Sequence, residues 1–155
     1  MITSVAAGTS NIPHPAAGGI LAENIHQSGV RLPFANFRQV GIECETAFEL
    51  GQDLPADSAP WTRDQVAGRV AACMAAIEVV DNRYGDFKAV GAPTLIADDF
   101  FQAAVVLGQR FENWRDVDLA GLSAATFIDG RELGRGRGAD VMGHPLEPLA
   151  WLANT

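Results

Sequence analysis

The sequence predicts an α+β fold with a mixed, mainly antiparallel β-sheet core and one or two packed helices. Short strand-like segments recur along the chain, and residues 124–133 contain the Asp129-Gly130 pair that is typical of a two-residue hairpin turn. Only two segments, one after residue 61 and one at 145–154, carry helix signals. Strands joined by hairpins around few helices favour this class over a doubly wound parallel sheet.

The first helix is the best-marked element. Thr62 and Gln65 form a capping-box pattern, and apolar residues continue at helical spacing from Val66, so a helix is expected from Thr62 to about Ala76. The β-branched segment that follows it predicts a buried strand. The expected strands are residues 20–26, 40–50, 77–81 and 100–108, followed by the hairpin at 124–133 and a short closing helix at 145–154.

Composition and charge exclude several classes of protein. The length of 155 residues, 48% of them apolar, indicates one globular domain, expected at 20–155. Residues 1–19 are rich in Gly, Pro and Ser and are expected to form a flexible leader. A net charge of −8 argues against nucleic-acid and anionic-membrane partners. No apolar run approaches the roughly 20 residues of a membrane span. Cys44 and Cys73 lie in separate apolar segments, which predicts reduced core thiols in a cytoplasmic protein.

Three glutamates stand in apolar strand segments. Glu43 and Glu45, in "VGIECETAFELG", share one face of an extended chain, a pattern that alone is typical of a solvent-facing strand. Glu78, in "AAIEVVD", is flanked by apolar residues, where a charge is rarely left unpaired. Either Glu78 pairs with Arg83, or the three carboxylates form an oxygen-ligand site for Mg²⁺ or Mn²⁺. The histidines have no zinc-like spacing.

Other motifs carry less. "GRGRGA" at 134–139 matches the dinucleotide fingerprint, but it follows a hairpin strand and no acidic residue comes about 20 positions later. No nucleophile, base and orienting acid assemble into a triad pattern. Lys88 and Arg83 lie in the polar segment 81–88, where surface charge is the simplest interpretation.

Four segments in order carry a family resemblance: "IECETAFELGQDLP", "AAIEVVDNRYGDFK", "APTLIADDFFQAAVVLG" and "GRGADVMGHPLEPLAWLAN". Together they resemble the 2-keto-4-pentenoate hydratase and 4-oxalocrotonate decarboxylase family, within the fumarylacetoacetate hydrolase superfamily. The resemblance implies the C-terminal-like fold of that superfamily. It also implies that Glu43, Glu45 and Glu78 bind a divalent metal, that Lys88 is catalytic, and that Arg83 and Glu23 bind substrate.

The activity implied by this resemblance is that of a metal-dependent lyase. Its substrates would be 2-hydroxydienoates or 2-oxo acids from aromatic degradation, with hydration of 2-hydroxypenta-2,4-dienoate as the expected reaction in a homo-oligomer. A 4-oxalocrotonate-type decarboxylase, a C–C hydrolase and a non-catalytic binding or assembly domain remain alternatives. Family members are longer, so the domain is expected to be truncated at both ends and could be an inactive fragment.

Overall fold

A computed structural model describes residues 15–155 and the backbone of Val5–Ala6. The predicted leader at 1–19 falls mostly outside these residues. Within them, strands β1 (Val5–Ala6) and β2 (Ala16–Ala17) form an antiparallel pair. Ala16 is buried.

A four-stranded sheet contains β3 (Ile25–Gln27), β4 (Val40–Leu50), β5 (Val70–Asp81) and β6 (Gln102–Leu107), in the order β3-β6-β5-β4. Strand β6 pairs in parallel with β3 and antiparallel with β5. The Asn82 N–H donates to the Gln39 carbonyl at one end of the β4–β5 pair, and the Gly51 N–H donates to the Arg69 carbonyl at the other, so these strands are also antiparallel. The predicted mixed, mainly antiparallel sheet is confirmed.

The chain divides into two compact units. The first contains Met1–Glu45 and Ala75–Gln109, and the second contains Thr46–Met74 and Arg110–Thr155. In the first unit, buried apolar residues include Val79, Leu95, Ala104, Val105 and Leu107. In the second, one cluster comprises Val70, Cys73, Trp114, Leu119 and Leu146, and another comprises Trp61, Val66 and Ala150.

The first helix begins as predicted and ends much earlier. In α1 (Arg63–Ala67), the Thr62 hydroxyl accepts from the Gln65 N–H and the Gln65 side chain accepts from the Thr62 N–H, which completes the capping box. The expected extension to Ala76 is wrong, because the chain turns at Gly68 and enters β5 at Val70. This segment is apolar along its length, with only Ala75 and Ile77 exposed, and the sequence period of such an apolar run does not separate a strand from a helix.

The remaining elements lie close to their predicted places. Strands β7 (Ser123–Ile128) and β8 (Arg131–Arg137) form the expected hairpin, with φ of 49° at Asp129 and 77° at Gly130, as a type I′ turn requires. Helix α3 (Glu147–Ala153) closes the chain, whereas α2 (Ala92–Ala97) was not predicted. The strand expected at 20–26 is confined to β3. Among residues 15–155, no helix combines the length and apolarity of a membrane span.

Candidate metal centre

The acidic pair of β4 is accessible to solvent. Glu43 and Glu45 occupy alternate positions of the strand and are both exposed. Cys44 between them is also exposed, which corrects the expectation that it is a core thiol. Cys73 is buried as expected, and both thiols are free.

Glu78 lies on the central strand β5 and is only 5% exposed. The structure brings its carboxylate to those of Glu43 and Glu45. One carboxylate oxygen from each residue lies within 4.8 Å of the other two. A buried acid on β5 and two accessible acids on the adjoining β4 therefore form one cluster.

This cluster contains negative charge without a compensating cation. Across the part of the chain that the structure describes, none of the three glutamates takes part in a salt bridge. Burial, followed by the charges of Glu43, Glu45 and Asp99, raises the pKa of Glu78 to about 7. Partial desolvation, and after it the Glu43 charge, also raise the pKa of Glu45, although this residue remains accessible to solvent. The arrangement favours either a proton or a cation between the carboxylates.

The donor set fits a hard divalent ion. Carboxylate oxygens are the ligands that Mg²⁺ and Mn²⁺ prefer, and Mg²⁺ is often held by few carboxylates while it keeps water or substrate oxygens at its other positions. The cluster supplies three carboxylates without a histidine or thiolate. Two of them face solvent, which would leave room for such additional ligands.

Arg83 does not pair with Glu78. Its guanidinium Nη1 donates to Asp98 Oδ2 at 2.8 Å, and its Nη2 donates to the backbone carbonyls of Phe101 and Gln102 at 3.4 and 2.5 Å. Most of its donors are thus committed to residues 98–102, at the start of β6. Of the two alternatives that the sequence left open for Glu78, the pair with Arg83 is therefore not formed, and the predicted substrate contact of Arg83 remains a prediction.

Lys88 and Glu23 are exposed. Lys88 lies in a short 3₁₀ turn, Phe87–Ala89, and its backbone N–H donates to Asp86 Oδ1 at 3.0 Å. The neighbouring Phe87 ring lies 5.7 Å from that of Phe101, which anchors this turn to the segment that Arg83 holds. Glu23 lies in the turn before β3. Neither side chain forms a salt bridge within residues 15–155, and their predicted roles remain predictions.

Sequence reasoning missed Asp99. Its charge contributes to the raised pKa of Glu78, and its own pKa is raised by burial and by Asp98. Its Oδ1 atom is buried without a hydrogen-bond partner among the described residues. A Cβ at Gly18 would lie 1.3 Å from that oxygen, so the carboxylate occupies the space that a side chain there would fill. The only sequence signal was the Asp98-Asp99 doublet, which does not show which acid Arg83 binds.

A separate cavity of about 500 Å³ lies within the second unit. It is lined by α1 and α3 residues, among them Arg63 and Glu147, which form a 3.3 Å ion pair, and Trp151. None of the predicted site residues lines it.

No family model matches the chain. Over 92% of its length it is 36% identical to 2-keto-4-pentenoate hydratase of Burkholderia vietnamiensis, of which it covers 53%. Over 94% of its length it is 31% identical to 2-hydroxyhexa-2,4-dienoate hydratase of Comamonas testosteroni, of which it covers 54%. It is also 38% identical to a 4-oxalocrotonate decarboxylase of Pseudomonas putida, over 50% of this chain and 29% of the relative.

A solved structure shares the fold. The 4-oxalocrotonate decarboxylase from Pseudomonas putida G7, complexed with magnesium and adipate, superposes with a TM-score of 0.79 at 24% identity, over 94% of this chain and 54% of that one. The chain therefore spans about half the length of the relatives that it matches. Its sequence is similar over nearly its whole length to these hydratases, and it shares the α+β fold of the decarboxylase structure, as the motif resemblance predicted.

Proposed function

We propose that the chain carries the metal centre of a divalent-metal-dependent lyase that acts on 2-hydroxydienoates or 2-oxo acids, with hydration of 2-hydroxypenta-2,4-dienoate as its reaction. The observation that carries this proposal is the convergence of Glu43, Glu45 and Glu78 without a cation. The hydratase relatives support the substrate class, and magnesium in the related decarboxylase structure supports the choice of ion.

The three glutamates would hold Mg²⁺ or Mn²⁺. When bound, the ion would supply Lewis-acid stabilisation for negative charge that develops on the 2-oxo oxygen of the substrate. Glu78 is buried on the sheet while Glu43 and Glu45 are exposed, so a small acid would enter from the side of the β4 pair. The buried Glu78 would fix the depth of the site.

Lys88, the chain's only lysine, is proposed to move the proton that passes from the 2-hydroxyl group to carbon during ketonisation. Its ammonium would need to reach about 2.6–3.2 Å from the substrate, directly or through one water. Lys88→Met should lower turnover by roughly 10²–10⁴-fold, the usual contribution of a positioned acid or base, and leave Mg²⁺ affinity unchanged. Full activity of this variant would remove Lys88 from the mechanism.

Metal-dependent turnover tests the proposal. Loss of the conjugated absorbance of 2-hydroxypenta-2,4-dienoate should require Mg²⁺, stop on addition of EDTA and be abolished by Glu78→Gln. Glu112→Gln removes an exposed carboxylate that pairs with Arg110 and lies outside the cluster, and it should keep full activity. A chain that binds Mg²⁺ and a 2-oxo acid but turns over no dienoate would instead be the non-catalytic binding domain.

Decarboxylation is the second candidate, because the decarboxylase relative is 38% identical over its matched part. The same carboxylates could serve both reactions, since each develops charge on the same substrate oxygen. Assays with 2-hydroxypenta-2,4-dienoate and 4-oxalocrotonate side by side distinguish the two. Release of carbon dioxide from 4-oxalocrotonate without hydration of the pentadienoate would replace the first proposal.

We also infer a homo-oligomer. On the hairpin of the second unit, Phe127 and Leu133 are 58% and 56% exposed, and apolar side chains on a two-stranded sheet favour association. Sedimentation should show a species larger than the monomer at micromolar concentration, and a stable monomer would contradict the inference. A cytoplasmic location remains a prediction.

A further inference from the structure

Gln102 is a buried polar residue that the proposed mechanism does not use. It begins β6 with only 8% of its surface exposed. Its side-chain Nε2 is buried and has no hydrogen-bond partner among the described residues. Because nearly all buried donors in folded proteins are hydrogen-bonded, this amide calls for an acceptor that the described chain does not supply.

The strand register places Gln102 on the face of the sheet that carries Glu78. Glu78 is paired with Val105, and Val80 is paired with Gln102, with a register shift between Val79 and Val80. Directly paired residues project to the same face, and so do residues two apart on one strand. In a regular strand Gln102 and Val105, three residues apart, would face opposite ways, so the register shift puts the amide on the side of the carboxylates.

The backbone around Gln102 is firmly held. Arg83 Nη2 donates to the Gln102 carbonyl at 2.5 Å. The three preceding residues all have positive φ, between 50° and 69°, and the Phe101 ring packs edge-on against Tyr84 and Phe87. Residues other than glycine rarely adopt this backbone conformation, and it persists only where surrounding contacts fix it. The amide is therefore presented from a fixed position rather than from a mobile loop.

We propose that Gln102 is a further substrate-binding residue, whose side-chain amide donates a hydrogen bond to an oxygen of the 2-oxo acid held at Glu43, Glu45 and Glu78. This inference rests on the proposed function. The substrate is an anion that binds beside a cluster of carboxylates, so an additional hydrogen-bond donor would strengthen its binding. An uncharged donor would do so without competing with the metal ion for the carboxylates. A neutral amide meets that need, whereas an arginine at the same place would pair with Glu78.

Binding of 2-oxopentanoate tests this role without turnover, because that acid has no carbon–carbon double bond to which water could add. With Mg²⁺ saturating, Gln102→Met removes the donor at nearly constant length and should weaken 2-oxopentanoate binding by about tenfold, as expected for one lost hydrogen bond to a charged ligand. Mg²⁺ affinity, measured separately by calorimetry, should not change. Gln109→Met removes the amide of an exposed glutamine in the same unit and should bind like the parent chain.

Gln102→Glu is the second variant. It tests the same role if Gln102→Met does not fold. Its added negative charge should weaken 2-oxopentanoate binding more than the methionine does. Parental 2-oxopentanoate affinity in either variant, with Mg²⁺ binding intact, would overturn the role of Gln102 and leave the proposed function standing. A parent chain that binds no Mg²⁺ would overturn both.

Discussion

The surroundings of Arg83 and of Glu78 differ in charge. Arg83 faces a carboxylate and backbone carbonyls that accept its hydrogen bonds, whereas Glu78 faces other carboxylates. Arg83 is paired with Asp98 at 2.8 Å and also donates to the backbone carbonyls of Phe101 and Gln102. Glu78 lies against Glu43 and Glu45 with no cation among the described residues, and its pKa is raised to about 7. Both regions belong to the first unit.

Asp81 shows that burial alone does not explain the difference. It lies three residues after Glu78 on β5 and is similarly buried, at 8% exposed. Its Oδ1 accepts from the backbone N–H groups of Arg38 and Gln39 at 2.8 and 2.7 Å. One buried acid of the strand thus accepts hydrogen bonds from the backbone, whereas the other faces further carboxylates. Glu78 is the acid that converges with two more carboxylates, which is why we propose that it binds the metal ion.

Glu78→Gln should remove one of the carboxylates that repel one another and give the largest change in the free energy of unfolding. In the metal-free chain, the variant should be more stable than the parent by up to about 3 kcal/mol at pH 8, because a carboxyl whose pKa rises from 4.5 to about 7 on folding is costly to ionise. At pH 5 the two should be nearly equal. Chemical denaturation at both pH values measures the difference.

The direction in which the free energy of unfolding changes with pH follows from proton binding. Since the folded pKa of Glu78 exceeds its unfolded value, the native state binds more protons between about pH 4.5 and 7. The parent's free energy of unfolding should therefore fall as pH rises through this window. Glu112→Gln, at an exposed site, should retain that fall, and a parent chain whose stability is flat over the window would contradict the uncompensated cluster.

Arg83→Met should remove the ion pair with Asp98 and lower the free energy of unfolding by about 2 kcal/mol. The loss leaves the Asp98 carboxylate, whose side chain is only 16% exposed, without its cation, and partial exposure of Arg83 reduces the cost below that of a fully buried pair. Arg63→Met removes a comparable but more exposed pair with Glu147 and should cost less than about 1 kcal/mol. Equal losses in the two variants would show that the Arg83 network has no special weight.

Gly18→Ala probes Asp99, which lies next to Asp98 in one region and affects Glu78 in the other. A new Cβ 1.3 Å from Asp99 Oδ1 would force the carboxylate to move, so we expect a loss of about 1–2 kcal/mol in unfolding free energy. Gly19→Ala is the matched control, because its Cβ would meet nothing within 4 Å. Thermal unfolding of both variants should separate them, and identical stabilities would place Asp99 elsewhere.

The elements with local signals were predictable from sequence. The Thr62 capping box, the Asp129-Gly130 turn and the strand at 40–50 all appear where their residues indicated. The segment from Gly68 to Ala76 was not, because its apolar spacing suits a helix and only pairing with two neighbouring strands makes it β5.

The site divides in the same way. Glu78 stood out because a charge inside an apolar run needs a partner, and the family resemblance linked it to Glu43 and Glu45. Asp99 and Gln102 gave no such signal. The placement of Asp99 and the proposed role of Gln102 depend on positive φ values and a register shift that arise from tertiary contacts, and residue spacing does not reveal those.

Calorimetric titration of Mg²⁺ into the metal-free chain at pH 8 tests directly whether Glu43, Glu45 and Glu78 form a metal centre. We expect saturable binding of one ion per chain, weakened at least 10–100-fold by Glu78→Gln and unchanged by Glu112→Gln. Heats no larger than those of dilution, or equal affinity in the parent and the Glu78→Gln variant, would contradict the assignment of Glu43, Glu45 and Glu78 as a metal centre.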